Sequence, residues 1–189
     1  TRSSAASDVY KRQIISIGSA TSEIINSVSL LGNVERPGEY EWKKGLRLSD
    51  LVQNSMDLLP KTDLKYGLIR RKLDNGMVKV LSFMPAELFA EGAIQSILLA
   101  KKDAVYFFSS EQPRTNLIDG ILDDLRRQSS SGNLAHIVKV SGLVRFPGEY
   151  PMVDDMNLTQ LLDASGGLRD AAYAVSAEIT RMSIDDQER

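Results

Sequence analysis

The sequence predicts an α+β chain in which two similar small domains are joined by a helix. Three observations lead there. Residues 28–40, VSLLGNVERPGEY, return at residues 138–150 as VKVSGLVRFPGEY, a constant offset of 110 residues, and self-similarity at a fixed spacing marks a duplicated structural unit. Each copy is followed by residues at the spacing of a short amphipathic helix: Leu48, Leu51, Val52 and Ser55 in the first, Leu158, Leu161, Leu162 and Ser165 in the second. Between the copies, residues 113–128 carry Leu117, Ile118, Ile121, Leu122 and Leu125 on one face of a helix, with Asp119, Asp123, Asp124, Arg126 and Arg127 on the other.

The elements follow in order. Val28, Leu30 and, beyond Gly32, Val34 alternate as a half-buried strand does, and Tyr40 and Trp42 continue one face after the turn. In each turn Pro37 or Pro147 presets φ and Gly38 or Gly148 is expected to supply the positive φ of a type II turn. The second helix should start the better of the two, because Asn157 with Gln160 forms a capping box, whereas the first has Arg47 as cap with Asp50 three residues on. Ser165, Gly166 and Gly167 end the second helix; the first lacks these glycines. Asp74-Asn75-Gly76, between residues 68–72 and 77–81, is the strongest hairpin signal in the chain. Pro85 opens a helical turn or two, and residues 97–108 give an extended segment, a charged turn and a closing strand. This order suits a β-grasp roll of the ubiquitin type, a small mixed sheet curled over one helix.

The domain plan is therefore a first β-grasp at residues 28–110, a linker helix and hinge at 111–133 ending in Ser129, Ser130, Ser131, Gly132 and Asn133, and a second β-grasp at 134–189. The second copy aligns through Ile179 and Arg181, partners of Ile69 and Arg71, and Arg189 corresponds to Lys79, so the second domain is expected to be truncated, with unpaired sheet edges. Residues 14–27 read as the tail of an upstream element. Residues 1–13 contain DVYKRQ, the translation of a transposase-type sequencing adapter, and read as an artefact or a disordered polar terminus.

Composition is that of a soluble globular protein, with 42% apolar and 25% charged residues. A net charge of −2 with interspersed signs gives no footprint for nucleic acid. The chain has no cysteine, which excludes thiolate metal sites and disulfides, and no apolar run near the roughly 20 residues of a membrane helix.

Gly32, Arg36, Pro37, Gly38, Glu39, Tyr40, the Leu48-Ser49-Asp50-Leu51 helix, the strand over residues 69–71 and the Leu-Leu-x-x-x-Asp pattern ending at Asp103 together resemble the SLBB domain, the soluble-ligand-binding β-grasp. Gly142, Pro147, Gly148, Tyr150, Leu158, Leu161 and Ser165-Gly166-Gly167 match in the second copy. Tandem copies separated by a helix are similar to the periplasmic part of Wza-like outer-membrane polysaccharide export proteins. That resemblance implies a periplasmic, ring-forming homo-oligomer attached to the outer membrane. Its partners would be capsule or exopolysaccharide and the inner-membrane export machinery. A monomeric glycan- or small-ligand-binding module, or an accessory domain of a larger enzyme, needs the same fold.

Nothing in the sequence assembles a catalytic site, a metal site or a cofactor site. The single histidine, His136, stands at the entrance of a strand. Asp123-Asp124 and Asp154-Asp155 are sequence neighbours whose side chains point apart, and Gly166-Gly167 follows a helix, the wrong end for a phosphate. Enzyme activity is not expected. The candidate ligand or subunit contacts are Arg36, Tyr40, Trp42, Arg145, Phe146 and Tyr150 around the two turns, since stacking aromatics and arginines are what sugars and acidic groups require. Against this, tyrosines and Trp42 on strands usually pack on the sheet. Gly32, Pro37, Gly38, Gly142, Pro147 and Gly148 are assigned to turn structure.

Overall fold

The computed structural model describes residues 26–90, 97–130 and 134–170. The readings of residues 1–25, of the Ser131-Gly132-Asn133 joint and of the strand around Ile179 and Arg181 lie outside the described residues. The architecture is α+β, with one five-stranded mixed sheet, one two-stranded sheet and few helices. Strands β1 (Ser27–Gly32), β2 (Gly38–Glu41), β3 (Thr62–Lys72), β4 (Val78–Phe83) and β5 (Ala104–Ser109) form the larger sheet in the order β2-β1-β5-β3-β4. Its central pair, β1 and β5, is parallel, with Leu30 beside Val105; the other pairings are antiparallel. A parallel pair needs a long crossover, and here the β3–β4 hairpin supplies part of it.

The Asp74-Asn75-Gly76 hairpin forms where the sequence places it. Gly76 has φ 82° and Asn75 Oδ1 accepts from Met77 N at 3.0 Å. Helix α1 is a single turn, Leu48–Leu51, followed by a 3-10 turn at Ser55–Asp57, so the predicted continuous helix through Ser55 is cut short. The cause is local: Asn54 and Asp57 cap the second turn, Met56 N donating to Asn54 Oδ1 and Gln53 N to Asp57 Oδ2, and these bonds compete with helix continuation. Residues after Pro85 form a 3-10 turn, Pro85–Phe89.

The helix predicted between the copies is α2, Thr115–Arg127, with Ile118, Ile121, Leu122 and Leu125 buried. After it, β6 (Ile137–Val140) and β7 (Gly148–Pro151) pair antiparallel, Val138 facing Tyr150, as Val28 faces Tyr40 in β1 and β2. Helix α3, Leu158–Ala164, has the expected Asn157–Gln160 capping box, and Gly166 and Gly167 end it at φ 78° and 84°. The two repeats share detail: Val34 bridges Leu58 as Val144 bridges Leu168, and Glu35 N donates to Asp57 O as Arg145 N donates to Gly167 O.

Both faces of the large sheet are buried. One face carries Val28, Leu30, Ile69, Val105 and Phe107 against Leu48, Val52, Leu58 and Leu99. The other carries Tyr66, Leu68, Val78, Val80 and Phe108 against α2, and the same apolar cluster continues into the second repeat through Tyr150, Val153 and Ala164. Helix α2 is therefore a packed layer between the repeats, with its apolar stripe committed on two sides.

Candidate functional site

The two turns are closed by their own tyrosines. Tyr40 donates its hydroxyl to Arg36 O at 2.6 Å, and Tyr150 donates to Phe146 O at 2.5 Å. The expected type II geometry is not what forms. Gly148 has no positive φ and Gly38, at 155°, is close to extended, both opening their strands. The left-handed position is instead Gly32, at 89°, and Gly142, at 93°, each followed by a tight turn in which Val34 N or Val144 N donates back to that glycine's carbonyl at 2.9 Å. At Gly32 a Cβ would sit 2.0 Å from Phe107 O, so the β1–β5 pairing leaves room for no side chain.

Beside the first turn lies an open groove of about 460 Å³, lined by Leu30, Arg36, Tyr40, Leu51, Asn54 and Asp57 among others. Arg36 is largely exposed and pairs with Asp57 at 3.2 Å. Backbone N–H bonds from Asn54 and, less strongly, Gln53, with Arg36 adding to them, hold the Asp57 carboxyl below the ordinary range against the opposing effect of desolvation. Beside the second turn a cleft of about 380 Å³ runs between α2 and β7, with Arg114, Arg126, Arg145, Phe146, Tyr150 and Arg169 on its walls.

Arg114 is the organising side chain of that second region. Only 2% of it is exposed. Its guanidinium pairs with Asp63 of β3 and donates to Ala164 O at 2.5 Å and Asp163 O at 3.2 Å. Those oxygens belong to the last turn of α3, where carbonyls lack helical partners and a cation is favoured. The same group lies 5.0 Å from the Tyr66 ring centre and 5.3 Å from those of Phe108 and Phe146, a desolvated cation–π arrangement. Tyr66 and Phe108 are themselves stacked, 5.4 Å apart. Burial pushes the Tyr66 phenol far up, so it stays neutral, and its hydroxyl has no hydrogen-bond partner among the described residues.

The six candidate contacts do not converge on one site. Arg36 and Tyr40 belong to the first groove; Arg145, Phe146 and Tyr150 belong to the second cleft and are turned toward the first repeat. Arg145 donates to Ser110 O at 2.9 Å, and Phe146 and Tyr150 are buried. Trp42 packs: its indole N–H donates to Leu99 O at 2.7 Å and Lys101 sits 5.1 Å over its ring. Further ion pairs bridge the repeats, Lys79 with Asp154 at 2.7 Å and Arg126 with Glu149. His136 is exposed. Two pieces of the repeat pattern read separately in the sequence meet in space. Arg71 grips the fully buried Asp103 with Nε at 3.0 Å from Oδ1 and Nη2 at 2.7 Å from Oδ2, and Ala100 N caps the same carboxylate at 2.8 Å.

Residues 27–55 and 137–187 match the family model of the SLBB domain. Each repeat thus carries a stretch similar to the SLBB domain. The SLBB segments begin at the strand that precedes each Pro-Gly turn, and in each the turn, its tyrosine and the helix after it fall inside the matched stretch. SLBB domains occur in polysaccharide export proteins. No curated protein matches the chain significantly.

Arg114 and Asp63 are the residues that sequence reasoning missed. One signal was available. Arg114 stands at the N-cap of α2, where a basic residue is a poor choice for the positive end of a helix and where Ser, Thr, Asp or Asn is favoured. A local misfit of that kind points to a tertiary role.

Proposed function

We propose that these SLBB repeats are β-grasp units of a polysaccharide export protein, forming a periplasmic structural segment that assembles as a homo-oligomeric ring on the route to the outer membrane. The sheet order β2-β1-β5-β3-β4, with β1 parallel to β5, supports the β-grasp reading. The observation that carries the reading is the pinned junction. Arg114, Arg145 and the ion pairs Lys79–Asp154 and Arg126–Glu149 hold the two repeats in one orientation, which suits a wall-building element better than a pair of independent binding modules. On this reading the polysaccharide passes without chemistry, the inner-membrane export machinery is the upstream partner, and no residue is catalytic.

The test replaces the tandem repeats in the full-length protein by a flexible linker and measures cell-surface polysaccharide together with the native mass of the intact protein. The expected outcome is loss of surface polymer with polymer synthesis intact, and an oligomer for the unaltered protein. A monomeric full-length protein with export unaffected by the replacement would reject the reading. The second reading, a monomeric glycan- or small-ligand-binding module, draws on the aromatic and arginine lining of the cleft beside Tyr150. It predicts saturable binding of an acidic oligosaccharide by the isolated repeats.

A further inference from the structure

Two arginines on the walls of the cleft between α2 and β7 are paired with no carboxylate among the described residues. Of the basic groups there, Arg114 pairs with Asp63 and Arg126 with Glu149. Arg145 instead gives one N–H to a backbone carbonyl, Ser110 O at 2.9 Å, and Arg169 makes no side-chain ion pair or hydrogen bond among the described residues. The two come from facing segments: Arg145 N donates to Gly167 O at 2.9 Å and Arg169 N to Leu143 O at 3.0 Å, on either side of the Val144–Leu168 bridge. The bond to Ser110 carries the Arg145 guanidinium to the chain that leads into α2, whose first residue, Thr115, lines the same cleft. No side chain caps that helix end, so its first N–H groups keep their capacity to donate. A buried donor is left over as well: Arg114 lines the cleft, and its Nε has no hydrogen-bond partner among the described residues. The fold does not demand the arginine pair. Shifted by 110 residues, Arg145 and Arg169 correspond to Glu35 and Leu59 in the first repeat, which keeps the same bridge without them.

We propose that this end of the cleft is a binding site for a compact oxyanion, a carboxylate or a phosphate group, held by Arg145 and Arg169 at the uncapped start of α2. A guanidinium meets two oxygens of such a group with parallel N–H donors. The positive end of a 13-residue helix favours the same charge, and the oxyanion supplies the acceptors that this end of the cleft lacks. Of the two carboxylates on the walls, Glu149 is taken by Arg126, and Asp119 stands one turn further along α2 than Thr115. A cleft of about 380 Å³ leaves room for a sugar-sized body attached to the anionic group. The proposal deepens the ligand-binding reading of this cleft and rests on it; the export reading does not need it.

The whole chain is titrated with inorganic phosphate, with glucuronate and, as the uncharged counterpart, with glucose, backbone amide shifts being followed by nuclear magnetic resonance. Tetragalacturonate is added in a fourth titration as an acidic oligosaccharide. The expected result is saturable binding of the anions and not of glucose, with shifts centred on Thr115, Arg145 and Arg169. Tighter binding of glucuronate assigns the site to an acidic sugar, and tighter binding of phosphate assigns it to a phosphate group. Arg145→Gln and Arg169→Gln should each weaken binding about tenfold or more, while Lys139→Gln, at an exposed position outside the cleft, should leave it unchanged. Arg145→Gln retains a donor for Ser110 O and Arg169→Gln gives up no side-chain contact among the described residues, so both should keep the parent's circular dichroism. Glucose binding as tightly as glucuronate, or an equal loss on Lys139→Gln, overturns the proposal. Tetragalacturonate binding that both arginine variants leave intact overturns this site while the ligand-binding reading stands; no binding of any of the four removes both.

Discussion

The Arg114 guanidinium is a charge taken out of water, and its cost is met by one carboxylate, two helix-terminal carbonyls and three aromatic rings. Removing one member of such a set leaves the other buried and uncompensated, which typically costs about 3–5 kcal/mol, whereas replacing both by well-packed apolar groups is often near neutral. Arg114→Ala and Asp63→Ala should each lower the denaturation midpoint strongly, while Arg114→Met combined with Asp63→Leu should recover most of the loss. Chemical denaturation of the three variants checks this, and additive losses in the double variant would contradict it. In the sequence Arg114 carried only its misfit as a helix cap, and Asp63 carried no pattern. Asp63 lies in Lys-Thr-Asp-Leu-Lys, which looks like an exposed loop, and only the pairing of β3 with β5 turns it inward. Arg145 and Phe146, by contrast, were legible as the place where the copies differ, and what they face is the first repeat of the same chain.

Strands and helices were legible to the extent that their periodicity survived. The β4 and β5 strands, the Asn75-Gly76 turn and the apolar stripe of α2 all follow simple spacings. Strand β3 did not, because a register shift between Thr62 and Gly67 breaks the two-residue alternation and both of its faces are covered, leaving Tyr66, Gly67, Leu68 and Ile69 buried in succession. On the charged side of α2, Asp124 is turned to the sheet, where Arg70 Nε donates to it at 2.6 Å and Arg127 pairs with it as well. Burial works against the charged form there, but the hydrogen bonds from Arg127 and Arg70 outweigh it and hold the carboxyl below the ordinary range. A depressed folded-state value contributes stability above the unfolded pKa of about 3.9, and that contribution disappears as pH falls through the lower, folded value. Thermal unfolding should therefore be insensitive to this group between pH 7 and about pH 5 and lose stability below about pH 4. Asp124→Asn should be less stable than the parent at neutral pH and show a shallower acid limb; an identical acid limb would remove Asp124 from the account. At its far end α2 is tied to the sheet edge by Gln128, whose side-chain amide accepts from Val78 N at 2.7 Å and donates to Val78 O at 2.9 Å, taking the place of a neighbouring strand.

At the scale of the whole molecule, the repeat offset announced two units, but nothing in the sequence said that they share a core. The apolar cluster runs from Tyr66 and Phe108 through Ile118 and Ile121 to Tyr150 and Ala164 without interruption, because α2 turns the same stripe to the sheet and to β7. Near- and far-ultraviolet circular dichroism should consequently report one coincident thermal transition for the parent, and Arg114→Ala should split it into two, the second repeat melting first. Two resolved transitions in the parent would show the repeats to be energetically independent. The place where the Arg114 side chain ends has a mechanical meaning. It begins one helix and terminates another, so a twist applied to α3 is delivered to the backbone of α2 through a single rigid, planar group, with the ring stack behind it as a bearing. A chain jointed in this way behaves as a stiff lever, and a load on one repeat is felt as torque at the other.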